Sequence, residues 1–473
     1  MLSTPTRPGR AGARFTPAQW GLLSVLAGNM LIDALEVSVA LVALPSIGDD
    51  LGLATAGLQW VVSGFAVGFG GLLLFGGRLV AIHGRRPVYL VALLVFAAAS
   101  LAGALATSAA LLIATRFVKG FCAALTAPTG FAIIASVFPE GPARRRALSV
   151  YSLFGASGFS AGLLLSGALT ELSWRWTFAF PAPVALVLFG AALRLIPRDE
   201  PGTAVNAPRR YDAAGALALT GAMLALVAAL TLGAGRGWDA PGTVALFVLA
   251  ALLAAVFVRV ELSAHEPLLR LDLLRHGPLL RSALGAGALN GSYLGLLLVV
   301  TLRMQRQAGH GPWSTGLAFL PAAAPLAVTA LLSGRLVARF GPPRLIAAGA
   351  ASATLGYALY AAGHQESYVR DLLPTLVLVG IAFVLAFTAF HVQATSSVTP
   401  ADQPAAGGLY QTSVQLGAAV MTALCAAVLP SGQRPVLYLI TAVGLLGLVV
   451  ALRGLAPGRV ARGAARQSPE DER

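Results

Sequence analysis

Charged side chains are scarce in this sequence, at 11% of its 473 residues against about 25% in an average soluble domain. Apolar residues make up 57%, more than a soluble fold can hide, which excludes a water-soluble enzyme or binding module. Cysteine is scarcer still. Cys122 and Cys425 stand far apart inside apolar runs, so neither a disulfide framework nor a thiolate metal cluster is indicated, and both read as small core residues. Lysine is almost missing: of 33 basic residues only Lys119 is not arginine. It is followed by Gly120 and Phe121 rather than by the Ser or Thr of a phosphate-binding loop, which excludes ATP hydrolysis through such a loop. The net charge of +14 is divided among small clusters between apolar runs. That pattern suits loops facing an anionic lipid bilayer and makes nucleic acid a poor candidate partner.

What is present is a succession of fourteen apolar runs, each long enough to cross a bilayer as a helix. The first is expected near residues 19–44, the second near 58–75, the fourth near 110–137 and the tenth near 315–338. Arg7, Arg10 and Arg14 precede a first run that is too long for a secretory signal and contains Asp33 and Glu36, so it reads as a retained helix. With both termini on one side, 25 arginines fall in segments of that side and six on the other. The positive-inside rule then expects both termini in the cytoplasm of a cell-membrane protein. An internal repeat supports two halves: Gly77-Arg-Leu-Val-Ala81-Ile-His-Gly84 recurs as Gly334-Arg-Leu-Val-Ala338-Arg-Phe-Gly341, 257 residues later. Residues 1–197 are expected to form one six-helix half and 263–455 the other. A linker and two inserted helices occupy 198–262, and a disordered cytoplasmic tail 456–473.

Four charges lie deep inside the spans, Asp33 and Glu36 in the first and Arg116 and Lys119 in the fourth. A charge at mid-membrane costs about 2.5–3.5 kcal/mol on insertion scales, so lipid-facing placement is untenable and the four are expected to pair across a polar cavity. At about 1.5 Å per residue their depths from the outer helix ends interleave, with Arg116 and Lys119 bracketing Glu36 and Asp33 one step inward of Lys119. The acids are candidate proton carriers and the bases their partners; the same four residues would also serve as a structural staple without transport chemistry. In the second half Asn290 and Tyr293 lie near the middle of the ninth span. Thr388, His391 and Thr395 form one stripe of the twelfth, where His391 is either a titrating group or a hydrogen-bonded packing residue. Gly155, Gly158, Gly162 and Gly167 of the fifth span read as helix-packing positions. Arg85 and Arg86 read as topology determinants.

Several segments resemble the major facilitator superfamily, specifically its fourteen-helix drug:proton antiporter family. Glu36-x-Ser38-x-x-x-Val42-Ala43-Leu44-Pro45 is similar to that family's first-helix motif, with Glu36 in place of its usual Asp. Gly77–Arg86 matches the loop signature in part, Arg116-Phe-Val-Lys119-Gly120 resembles the fourth-helix motif, and Trp174-Arg175-Trp176 resembles the turn after helix five. Gln59-Trp60-Val61, Gly235-Arg-Gly-Trp238 and Gln415-Leu-Gly417 add to it. The chain departs at Ala81 and Ala338, where the loop signature carries an acid, and at Leu163 and Ser166 in the helix-five motif. The resemblance implies an all-α membrane protein of the major facilitator fold. Asn290, Tyr293, Thr388, His391 and Thr395 would border its central substrate cavity, and Gly77, Gly84, Arg85, Arg86, Gly334 and Gly341 its gating loops. It also implies proton-coupled export of small lipophilic compounds by alternating access. An uptake carrier on the same scaffold is the nearest alternative, and a membrane-embedded enzyme is another; no cofactor is called for.

Overall fold

The computed structural model describes residues 15–198, 211–264, 266–399 and 402–455. Residues 199–210 of the expected linker and the tail from 456 lie outside them. Fourteen long helices account for nearly everything described: α1 Pro17–Leu51, α2 Thr55–His83, α3 Arg85–Ala104, α4 Ala109–Val137, α5 Pro142–Leu172, α6 Trp174–Leu195, α7 Ala213–Arg236, α8 Pro241–Ser263, α9 Gly277–Leu302, α10 Leu320–Phe340, α11 Pro342–Ala362, α12 Leu373–Ser396, α13 Gln403–Val428 and α14 Gln433–Arg453. No strand occurs among the described residues. In hydrocarbon every backbone N–H and C=O must be satisfied within its own segment, which leaves an apolar chain of this kind only the helix. Local signals set the starts. Thr16 and Gln19 form a reciprocal cap on α1, with Gln19 N donating to Thr16 Oγ1 at 3.2 Å and Thr16 N to Gln19 Oε1 at 3.0 Å; Ser108 caps α4.

The packing order repeats. Helix α1 runs along α5, α2 along α4, and α3 lies against both α4 and α6; likewise α9 runs along α13, α10 along α12, and α11 lies against α12 and α14. The two sets of six meet where α2 faces α13 and where α5 faces α10. Helix α7 covers the first of these seams, touching α2 and α13 together, and α8 lies outside it against α7. One polar tie fixes that docking, Gln59 Nε2 to Thr231 Oγ1 at 2.6 Å.

Two expectations are corrected here. The segments Gly77–Gly84 and Gly334–Gly341 are not loops. Helix α2 continues through Gly77 to His83 and α10 through Gly334 to Phe340, so each connection is a single glycine. Gly84 at φ 91° and Gly341 at φ 75° hold a backbone conformation that a side chain would strain. The expected tenth span is broken: a short helix Pro312–Ala318 ends at Phe319, and α10 starts at Leu320. Pro321 has no N–H to continue the ladder of the preceding turn, and a fresh first turn is where proline fits.

Candidate functional site

Three of the four intramembrane charges form one compact cluster. Glu36 of α1 receives Arg116 Nη1 on Oε2 and Lys119 Nζ on Oε1, each at 2.5 Å, and all three side chains are 0% exposed. The guanidinium is fully engaged: Nη2 donates to the Glu36 carbonyl and Nε to the Val61 carbonyl of α2, both at 2.8 Å. Aromatic faces close the rest. Arg116 lies 4.8 Å from the Phe65 ring, and Lys119 lies 4.9 Å from Phe96 and 5.7 Å from Phe178. The partners thus come from α2, α3, α4 and α6, which places the cluster inside the first set of helices. The expectation that the charges pair across a polar cavity is corrected: the three side chains are fully buried among ring faces and backbone carbonyls.

Asp33 stands apart from the cluster. Its Oδ2 accepts from Asn29 Nδ2 at 2.9 Å, one turn back on α1, and from Thr126 Oγ1 of α4 at 2.7 Å. Among the described residues it makes no ion pair, so the expected contact with Lys119 is replaced by two neutral donors. The reason is the offset along the helix axes. Asp33 lies about one turn from Glu36 and Thr126 about two turns from Lys119, so they form a second contact further along the same pair of helices.

The second set carries neutral groups where the first carries these acids. The repeat offset of 257 that pairs Gly77 with Gly334 also pairs Asp33 with Asn290 and Glu36 with Tyr293. Asn290 Nδ2 donates to the Val414 carbonyl of α13 at 3.3 Å, so it ties two helices together. Tyr293 is buried between rings of both sets, 5.4 Å from Phe159 of α5 and 4.9 Å from Phe383 of α12. The run of rings continues from Phe383 to Phe387 at 5.6 Å and to Tyr410 at 6.3 Å, and ends on His391, 5.2 Å from Tyr410. It passes from a buried start at Phe159 to the exposed His391. Thr395 Oγ1 bonds back to the His391 carbonyl at 2.9 Å, and Thr388 is half-buried. Sequence reasoning missed Phe159, Phe383 and Phe387. Aromatics at i and i+4 in an apolar helix look like ordinary core, and only the neighbouring helices reveal the continuity.

The remaining candidates divide by neighbour. Gly155, Gly158 and Gly162 lie against Met30, Leu31 and Leu35 of α1, and Gly167 lies against Pro312 and Trp313 of the short helix. Arg85 and Arg86 open α3 and donate to the carbonyls of Ala132 and Leu193. Next to the missing loop acid, Arg78 donates to the carbonyls of Glu266 and Pro267, just before α9. At the opposite helix ends the two sets are tied directly. Arg306 pairs with Asp49 at 3.3 Å, Gln305 Nε2 donates to the Val42 carbonyl at 2.9 Å, and Trp313 N donates to Glu171 Oε1 at 2.9 Å. Asp50 accepts from Trp174 Nε1 at 3.0 Å and Arg175 Nη1 at 2.6 Å, and so holds the turn between α5 and α6.

Residues 26–422 match the Major Facilitator Superfamily. The chain is 37% identical over 413 residues to the puromycin resistance protein of Streptomyces alboniger, covering 86% of this chain and 80% of that protein. It is 37% identical over 407 residues to a cephamycin export protein of Amycolatopsis lactamdurans, covering 84% and 82%. It is also 32% identical to a lincomycin resistance protein of Streptomyces lincolnensis, covering 98% and 97%. Among solved structures, a D-xylose-proton symporter superposes with a TM-score of 0.65 at 14% identity, over 92% of this chain and 97% of that one.

Proposed function

We propose that this chain, which belongs to the Major Facilitator Superfamily, is a proton-coupled secondary transporter that exports small lipophilic compounds from the cytoplasm. The observation that carries the reading is the run of rings from Phe159 to His391. It crosses from one six-helix set to the other, so a molecule stacked on it touches both bodies whose relative motion would move it. Aromatic faces suit flat apolar or cationic compounds, which they hold by stacking and by cation–π attraction rather than by a fixed hydrogen-bond pattern. The names of the relatives, concerned with resistance to or export of antibiotics, support a natural product or drug as cargo.

The arginine-rich helix ends are assigned to the cytoplasm, following the positive-inside rule. The ties of Asp49, Val42 and Glu171 to the segment 305–313 then close the outer end, and the exposed end of the aromatic run faces inward. Export requires those ties to open while the seams α2–α13 and α5–α10 act as pivots. No phosphate-binding loop is present, so an ion gradient supplies the energy, and buried carboxylates are suitable proton carriers.

The test is a susceptibility panel of puromycin, lincomycin and a cephamycin on a strain lacking or overexpressing the protein. Overexpression is expected to protect against at least one compound, and in everted vesicles a protonophore is expected to stop accumulation of that compound while ATP is abundant. Tyr293→Ala removes the ring that joins Phe159 to Phe383; losing one stacking contact with the cargo, about 0.5–1.5 kcal/mol, is expected to weaken apparent affinity up to about tenfold. Unchanged susceptibility across the panel, or transport that survives the protonophore, would reject the reading.

A further inference from the structure

The chain holds two acids in α1, and their surroundings differ in kind. Glu36, the one at the family-motif position, has each carboxylate oxygen against a cation at 2.5 Å. To take up a proton it would have to leave Arg116 and Lys119 buried without an anion, which is strongly unfavourable. Asp33 has no such obligation. Both of its hydrogen bonds fall on Oδ2, so a proton on Oδ1 breaks neither. Its partners are neutral and stay neutral.

We infer that Asp33 carries the transported proton and that Glu36 is a fixed counter-ion holding Arg116 and Lys119. The inference rests on the proton-coupled reading above. One O–H bond forms on Asp33 Oδ1 with a proton from the outer phase and breaks when that proton is released to the cytoplasm; no other bond changes. The ionisable groups around Asp33 are Glu36 on its own helix, Cys122 on α4, Tyr89 on α3 and Tyr151 on α5. Two of them bear on the path. The Tyr89 hydroxyl is buried without a hydrogen-bond partner, and the Tyr151 hydroxyl donates to the Ala127 carbonyl at 2.9 Å. Both lie nearer than Asp33 to the arginine-rich helix ends, the side to which the proton is released.

The test is infrared pH-difference spectroscopy of the purified full-length protein. Above the background of the exposed carboxyls, a carboxylic C=O band that grows as pH is lowered is expected in the wild type and in Glu36→Asp, and is expected to vanish in Asp33→Asn. Should Asp33→Asn fail to accumulate, Asp33→Glu decides instead, because the band must shift in frequency if it belongs to this side chain. A band that survives Asp33→Asn, a band unmoved in Asp33→Glu, or no titrating band at all would overturn the assignment. A second arm uses puromycin in proteoliposomes with an imposed pH gradient. Wild type is expected to accumulate it, whereas Asp33→Asn is expected to equilibrate it without accumulation. If the wild type moves none, the export reading fails, and the infrared result still decides which acid binds the proton.

Discussion

Glu36→Gln is expected to cost about 3–5 kcal/mol of stability, because removing one member of a buried ion cluster leaves the others charged and unpaired. Here two cations are stranded at once, Arg116 and Lys119, both sealed from water by Phe65, Phe96 and Phe178. Thermal unfolding in detergent should show the variant melting many degrees below wild type or failing to accumulate. The triple variant Glu36→Gln, Arg116→Met, Lys119→Met removes every charge of the cluster and is expected to recover much of the loss, since apolar replacements of similar volume often match a buried ion pair. A Glu36→Gln protein that melts with wild type would mean that the cluster does not hold α1 to α4.

Gly417→Val is expected to be nearly as damaging for a purely steric reason. A Cβ at Gly417 would overlap the Gly287 carbonyl of α9, and one at Gly291 would overlap the Gly417 carbonyl in return. Backbone cannot rotate away as a side chain can, so the crossing must open, at about 1–3 kcal/mol or more. The first set uses the same device where Gly158 and Gly162 meet Leu31 and Leu35. Gly190→Ala on α6, which has nothing within 4 Å of its Cβ, is the control and is expected to fold like wild type. Size-exclusion profiles of fluorescent fusions read both outcomes; a monodisperse Gly417→Val protein at wild-type yield would show that the crossing is loosely packed.

How much of this was legible beforehand depends on the range of the interaction. The repeat at Gly77 and Gly334 and the chain breaks at Gly84 and Gly341 could be read locally, because a glycine at positive φ ends a helix wherever it stands. The extent of α2 was underestimated, 58–75 against the observed Thr55–His83. Glycine and arginine suggest a loop in water, but near a membrane the alternative to a helical turn is an unsatisfied backbone, so the helix runs on. The spacing of Asp33 with Glu36 and of Arg116 with Lys119 showed that charged faces exist. It could not show that Arg116 and Lys119 converge on Glu36 while Asp33 finds Asn29 and Thr126, because that depends on the relative rotation of α1 and α4. The break at Phe319 had a local signal in Pro321, hidden by the apolar residues on either side.

The sum of the four deep charges has an electrical consequence. Membrane potential does work on charge that moves through it, about 2.3 kcal/mol per elementary charge per 100 mV. Two acids and two bases cancel at the centre of the first six helices, and the corresponding positions of the second hold Asn290 and Tyr293. With Asp33 ionised, the empty protein therefore carries no net fixed charge across the middle of the bilayer when its two bodies rock. On the proposed cycle, voltage acts at that depth through what is aboard, the proton or a charged cargo, and contacts such as Asp49 with Arg306 and Arg78 with the Glu266 and Pro267 carbonyls bias the balance between inward- and outward-facing forms.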